Sequence, residues 1–418
     1  MKNERGDGGN HDGPDTRLRG ASPGVVADAM RTRDPLPGTS GFAGLLADPP
    51  ERSGPVLVRD VLGRQPLFVE RNANRPICSV AWGFDPTALD DPVAVPAGSV
   101  VADAGTDPKN GRRSRRIWSL PTTEPAGPEA AQAAVDDAID KALTDLHFGA
   151  GSNADRTDSS GDTAEHSGDA DGRLAVAFSG GVDSGLVASA VPNAPCYVAG
   201  FEGCHDLSAA RAAADAMALD LRVVEITHDD LRRVIPEIAA ATGRRNPMDL
   251  NIAVPLYLTA EAAVADGIDR LAVGQGADEL FGGYSKVVEP AADQRVDADT
   301  VRGARTETVR TLPAQLERDV LALRAAGVEP VAPLLDDRVV DAALRLPGSL
   351  LATSAERKIA LRRTAAERLP ESVWSADKKA VQYGTYVARE IDRLARQNGF
   401  KRRMDDHVGQ YIESLLTT

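Results

Sequence analysis

Two glycine-rich stretches hold the residues whose types and spacing could do chemistry. They are Ser179-Gly180-Gly181-Val182-Asp183-Ser184 and, about ninety residues on, Gly274-Gln275-Gly276-Ala277-Asp278-Glu279. The first follows the apolar run LAVAF and leads directly into GLVASA, so it reads as a strand, a tight turn and a helix start. Adjacent glycines allow close backbone approach and unusual φ, and the amides of a first helical turn point at anionic oxygens. Ser179 and Ser184 add hydroxyl donors, and Asp183 can hold a magnesium ion that offsets phosphate charge. This chemistry suits a pyrophosphate group. The string matches neither the Walker A pattern nor the G-x-S-x-G nucleophile elbow.

The second stretch follows the strand-like run RLAVG. Its G-x-G invites a dinucleotide reading, but Glu279 stands where that fingerprint needs Gly or Ala. Ligands in parallel sheets bind beyond the carboxyl ends of the strands, so both loops should face one crevice. Asp183 and Asp278 could then share magnesium on one pyrophosphate.

The SGGVDS string resembles the pyrophosphate loop of the N-type ATP pyrophosphatases, and GQGADELFGGY resembles the G-E-G-A-D-E-L-F-G-G-Y signature of the asparagine synthetases. VAGFEGCHDLSAARAAAD, VAPLLDDRVVDAALRLP and ERKIALRRTAAERLPESVWSADKKAVQYG resemble further segments of that family in order, so the resemblance covers about residues 174 to 390. It implies ATP and Mg2+ as cofactors, with ATP against Ala177, Phe178, Ser179, Gly180, Gly181, Asp183, Ser184 and Gly274, and adenine beside Ala199 and Gly200. It also implies metal ligation by Asp183 and Asp278, and Lys378, the first of the late lysine pair, on the α-phosphate. A cation is needed there because negative charge builds on the non-bridging oxygens as a carboxylate attacks phosphorus. The implied reaction is adenylation of a carboxylate, aspartate in the family, followed by displacement of AMP by ammonia. Gln275 departs from the family's Glu, which is implicated in the amide-forming half, and an amide cannot act as a base.

These loops need elements to hold them. LAVAF, CYVAGF, LRVVEI and RLAVG read as buried strands, and DLSAARAAADAMAL and VPLYLTAEAAVADG as helices packed on a parallel sheet. Past residue 300 only helical patterns appear, giving a cap. The expected fold is therefore α/β, a doubly wound parallel-sheet ATP-pyrophosphatase domain with a helical C-terminal cap, preceded by a small β-rich domain. The boundaries expected are 1–20 disordered, 21–127 β-rich, 128–150 a connecting helix, 151–172 an acidic disordered insertion, 173–400 the ATP-pyrophosphatase domain and 401–418 a tail.

GPVLVRDVLGRQPLFVE resembles a strand pair of the glutaminase domain that precedes the synthetase domain in the same family, and RRIWSLP its exit. The family's glutaminase uses an N-terminal cysteine; here position 2 is Lys2 and no cysteine precedes Cys78. The region is read as truncated and without glutaminase activity, and ammonia, free or from a separate glutaminase, as the nitrogen source. A homo-oligomer is the other partner considered.

Composition narrows the field. The 418 residues carry a net charge of -14, no basic run is interleaved with aromatics, and the first twenty residues hold no apolar run. The expectation is a soluble cytoplasmic enzyme with neither nucleic-acid nor membrane partners. Abundant Asp and scarce Lys suit a surface kept hydrated in high salt, or reflect coding bias in an ordinary acidic protein. Cys78, Cys196 and Cys204 form no C-x-x-C pair and suggest neither disulfides nor zinc. Two other functions stay open: a related ligase closing a lactam or amidating another acid, and a non-catalytic ATP-binding regulator.

Overall fold

The computed structural model describes residues 18–50, 54–71, 81–102, 114–148, 173–376 and 384–417. The expected disordered start (apart from residues 18–20), the acidic insertion, Lys2, Cys78 and Lys378 lie outside the described residues.

Period-two alternation organises the N-terminal domain. On β2 (Ala43–Leu46), β3 (Val56–Arg59) and β7 (Ser99–Val101), Leu46, Val56, Val58 and Val100 join one cluster while Ala43, Leu45, Leu57 and Val101 join another. A sheet apolar on both faces must be covered twice. With β1 (Leu18–Arg19) and β8 (Ser114–Arg116) these strands form an antiparallel sheet in the order β1-β2-β3-β7-β8. One face packs with Leu67, Val69 and Val95, in and beside a three-stranded sheet of β4 (Phe68–Glu70), β5 (Trp82–Gly83) and β6 (Pro92–Ala94). The other meets Val26 and Met30 of α1 (Pro23–Thr32), and the chain then runs into α2 (Pro128–Phe148), which packs on helices of the second domain.

The second sheet is wholly parallel, with β9 (Leu174–Ala177), β10 (Cys196–Gly200), β11 (Leu221–Glu225), β12 (Arg270–Ala272) and β13 (Glu329–Val331) in the order β11-β10-β9-β12-β13. Helices carry the crossovers: α3 (Val182–Ala190), α4 (His205–Met217), α5 (His228–Thr242), α6 (Pro247–Ala265), α7 (Ala277–Phe281), α8 (Val301–Val309) and α9 (Leu312–Ala325). The chain starts at the central β9, steps outward through β10 and β11, and returns on the far side of β9 with β12. The strand order therefore reverses between β9 and β12, where an open α/β sheet forms its crevice. Both glycine-rich stretches leave the carboxyl ends of these two strands, which pair in the register Leu174 with Arg270 and Val176 with Ala272.

Two elements differ from the sequence expectation. β11 is an edge strand and only partly buried. β13 was not anticipated at all: three residues cannot display a period, and Pro330 lacks the amide that a central strand needs but an edge strand can do without. The cap follows as α10 (Asp337–Leu344), α11 (Gly348–Leu351), α12 (Ile359–Ala366), α13 (Glu371–Trp374), α14 (Val387–Gln397) and α15 (His407–Leu416). The segment expected as a tail thus ends in a packed helix, because Tyr411 and Ile412 bury against Leu231 of α5 and Ile391 of α14.

A buried ion cluster ties the two domains. Arg64 reaches Asp60 at 2.9 Å and Asp337 at 2.8 Å, while the Thr39 amide donates to Asp337 at 2.8 Å. Deleting one partner of such a buried set costs about 3–5 kcal/mol, because a charge is left uncompensated. Among the described residues no helix is long and apolar enough to cross a membrane.

Candidate active site

The crevice at the strand-order reversal is a cleft of about 550 Å3, within the range of about 300–1,000 Å3 usual for small-molecule sites. Its floor is the turn after β9. Gly180 has φ +76°, and a Cβ there would lie 2.6 Å from the Ala209 carbonyl oxygen, so the turn can pass α4 this closely only with glycine. Gly181 then begins α3 with no side-chain cap, which leaves the amides of the first turn facing the cleft. Ser184 Oγ accepts from the Ser179 amide at 3.2 Å and lies 3.2 Å from the Gly181 carbonyl, holding the turn closed.

The second loop comes within van der Waals reach of the first. A Cβ at Gly274 would stand 2.9 Å from Asp183 Cβ. Between the loops sits a residue to which the sequence reading gave no role, Lys358. Its ammonium lies 2.6 Å from Asp183 Oδ2 and 2.8 Å from Asp278 Oδ1. Burial pulls its pKa down, but the two carboxylates outweigh that and hold it above the ordinary lysine value. Lys358 also has φ +57°, a conformation that costs a non-glycine residue about 1–3 kcal/mol and persists only where its surroundings impose it. A Cβ at Gly283 would overlap Asp278 Oδ1 and Lys358 Cε, so the second glycine pair leaves room for this bridge.

Further charged groups line the cleft. Burial first, and then the neighbouring Asp278, push the Glu279 carboxyl up to about 7, and Tyr284 donates to it at 2.5 Å. Gln275 donates through Nε2 to Asp319 Oδ2 at 2.8 Å, and Arg318 holds the other oxygen of Asp319 at 2.7 Å. Burial raises the pKa of Asp319 while Arg318 opposes the shift. Val198, Ala199, Pro255 and Leu256 also line the cleft and supply apolar surface.

The sequence-selected residues fall as follows. Ala177, Phe178, Ser179, Gly181, Asp183, Ser184, Ala199, Gly274, Gln275 and Asp278 all line this cleft. Gly180 and Gly200 do not, and serve close packing instead: a Cβ at Gly200 would stand 2.7 Å from Cys204 Sγ. Lys378 lies outside the described residues; Ala376 and Thr385, on either side of that segment, line the cleft.

The asparagine synthase family model matches residues 162–299 and 292–411, more than half of the chain. This chain belongs to the asparagine synthase family. A Methanocaldococcus jannaschii relative named for glutamine-hydrolyzing asparagine synthetase 1 is 28% identical over 278 residues, 58% of this chain and 51% of its own. The glutamine-hydrolyzing asparagine synthetase of Brassica oleracea is 26% identical over 261 residues, 58% of this chain and 39% of its own. Asparagine synthetase B of Escherichia coli is 25% identical over 193 residues, 41% of this chain and 33% of its own. The chain thus spans about half, or less, of the length of the curated relatives it matches.

For this member of the asparagine synthase family, two signals could have pointed to the residues the sequence reading passed over. Lys358 opens a K-x-x-L-R match in a chain with few lysines, yet only the fold reveals that it meets two acids 175 and 80 positions upstream. Asp319 stands seven residues after Leu312 on an apolar helical stripe, where a charge has to have a partner.

Proposed function

We propose that this chain is an ATP-dependent carbon–nitrogen ligase that adenylates a carboxylic acid, with aspartate the favoured substrate, and converts it to an amide with ammonia. The observation that carries the reading is the convergence of Asp183, Lys358 and Asp278 on one point between two strand-end loops. Such a cluster matches a polyphosphate accompanied by its counterion, with loop amides below it. A substrate carboxylate oxygen attacks the α-phosphorus, the bond from the α-phosphorus to the bridging oxygen breaks, and pyrophosphate leaves. Ammonia then attacks the acyl carbon, the bond to AMP breaks, and the nitrogen gives up a proton. Lys358 remains on the departing pyrophosphate, and Lys378 is assigned to the α-phosphate.

Magnesium fits this donor set. Mg2+ takes one or two carboxylates and completes its shell with phosphate oxygens and water, and Asp183 and Asp278 bring two carboxylates to the same pair of strand-end loops, with the Lys358 ammonium between them. Asp183 and Asp278 would hold it, and when bound it would neutralise charge on the phosphate oxygens.

The test is aspartate-dependent exchange of labelled pyrophosphate into ATP, followed by measurement of amide formed with ammonia and with glutamine. Exchange driven by a different carboxylic acid would keep the ligase class and change the substrate, as for a lactam-forming relative. Tight ATP binding with no exchange for any acid would instead favour a regulatory ATP-binding role.

A further inference from the structure

The N-terminal domain carries a motif that the proposed chemistry leaves unused, the Val58-Arg59-Asp60 segment with Gly63. Arg59 is almost fully buried. It donates to the Val95 carbonyl at 2.8 Å and the Gly63 carbonyl at 3.0 Å, both in its own domain, and to Glu317 Oε2 of α9 at 3.1 Å. A Cβ at Gly63, where φ is +65°, would stand 3.1 Å from Arg59 Nε, so that turn is shaped around the guanidinium.

Helix α9 has two working faces. Leu312, Gln315, Leu316 and Asp319, at spacings of three, four and seven, line the cleft. Glu317 and Arg324, seven apart and therefore on one face, turn instead to the N-terminal domain, where Arg324 donates to Gln65 at 2.6 Å. Two residues along a helix is a rotation of about 200°, so Glu317 and Asp319 point to nearly opposite sides. A second route joins them outside the helix. Glu317 pairs with Arg244 at 3.3 Å, Arg244 approaches Asp249 at 4.0 Å, Asp249 holds Arg318 at 2.8 Å, and Arg318 holds Asp319 at 2.7 Å. Asp319 then accepts from Gln275.

We propose that the N-terminal domain positions the amide-forming end of the cleft through α9, with Arg59 and Glu317 as positioning residues that fix Asp319 and, through it, Gln275. This rests on the ligase reading above. The pyrophosphate end is held separately, by the turn after β9 and by Lys358, so the two ends of one cleft answer to different supports. Removing Arg59 takes away the buried cation that draws Glu317 to the N-terminal domain and leaves it to Arg244 alone, so α9 shifts or rotates toward that remaining partner. Asp319 moves with the helix, while the amides of α3 stay in place. The link is physical contact along a rigid element rather than mere proximity.

The experiment compares two half-reactions in the full chain: pyrophosphate exchange, and amide formed per AMP released at saturating ammonia. The variants are Arg59→Met and, at the more exposed end of the pair and therefore safer for folding, Glu317→Gln. The expected result is exchange within about twofold of the native rate, amide formation down about tenfold, and AMP released in excess of amide because the acyl intermediate meets water. A residue that only supports folding would lower both half-reactions together, and that outcome overturns the proposal. So does an unchanged ratio of amide to AMP in both variants. If the native chain exchanges pyrophosphate with no acid, the ligase reading fails and this inference with it; native exchange with insensitive variants sinks this inference alone.

Discussion

Lys358→Met tests the centre of the site, because it removes the ammonium while nearly keeping the side chain's length. The native ammonium contacts Asp183 at 2.6 Å and Asp278 at 2.8 Å. Without it the two carboxylates repel each other, by about 3 kcal/mol at a separation of roughly 5 Å and an effective dielectric near 20. The Asp278 side chain is 45% exposed, so water screens the repulsion and the expected loss of stability falls to about 1–2 kcal/mol. The kinetic loss should be larger. A cation on the departing pyrophosphate acts where charge develops, and removing one such group costs about 100- to 1,000-fold in rate. Lys358 has a folded pKa above its free value, so its contribution to stability is complete below about 10.5 and is lost only as the pH climbs through the folded value. Assays near pH 7.5 therefore see the full effect. The measurements are aspartate-dependent pyrophosphate exchange and a thermal melt with and without Mg-ATP. Exchange within threefold of native would show that the bridge is a structural ion pair and would remove the observation on which the function rests.

Glu279→Gln should flatten the dependence of stability on pH between about 4.5 and 7. The carboxyl is raised to about 7 by burial, so native stability falls as pH rises across that window, by about 3 kcal/mol in all. Urea midpoints at pH 5 and pH 7.5 measure it, and parallel profiles for the two proteins would refute the assignment. Gly283→Ala should lower pyrophosphate exchange at least tenfold with little effect on the N-terminal domain, because its methyl group overlaps Asp278 and Lys358; full exchange would mean the bridge can move aside. Lys378→Ala should abolish AMP release while leaving ATP binding measurable by calorimetry, and undiminished turnover would remove its assigned role.

Much of the cleft beside β9 could be read in advance because it is local. Strand, turn and helix start are contiguous from Leu174 to Ala190, so residue order alone builds that turn. The end beside Gln275 is different. Gln275 meets Asp319 across 44 residues, and Lys358 meets Asp183 across 175, and no periodic pattern encodes such pairings. The loop containing Gln275 is marked by its glycines, whereas Arg318 and Asp319 are two adjacent charges in a helical segment, and only the packing of α9 between the cleft and the N-terminal domain gives them their partners. β13 escaped for a related reason. Its three residues are stabilised by β12, a neighbour far away in sequence.

The sequence by itself determined the four strands from Leu174 to Ala272 and the helices between them, that both glycine loops follow strands, and which family the chain resembles. These follow from local periodicity and from turn chemistry that only particular residues permit. Tertiary structure decided that Lys358 rather than solvent separates the two acids, that α9 faces both domains at once, and that Arg59 meets Glu317. Those outcomes depend on the strand-order reversal between β9 and β12 and on how the domains dock, and both are set by burial summed over the whole chain rather than by any one segment.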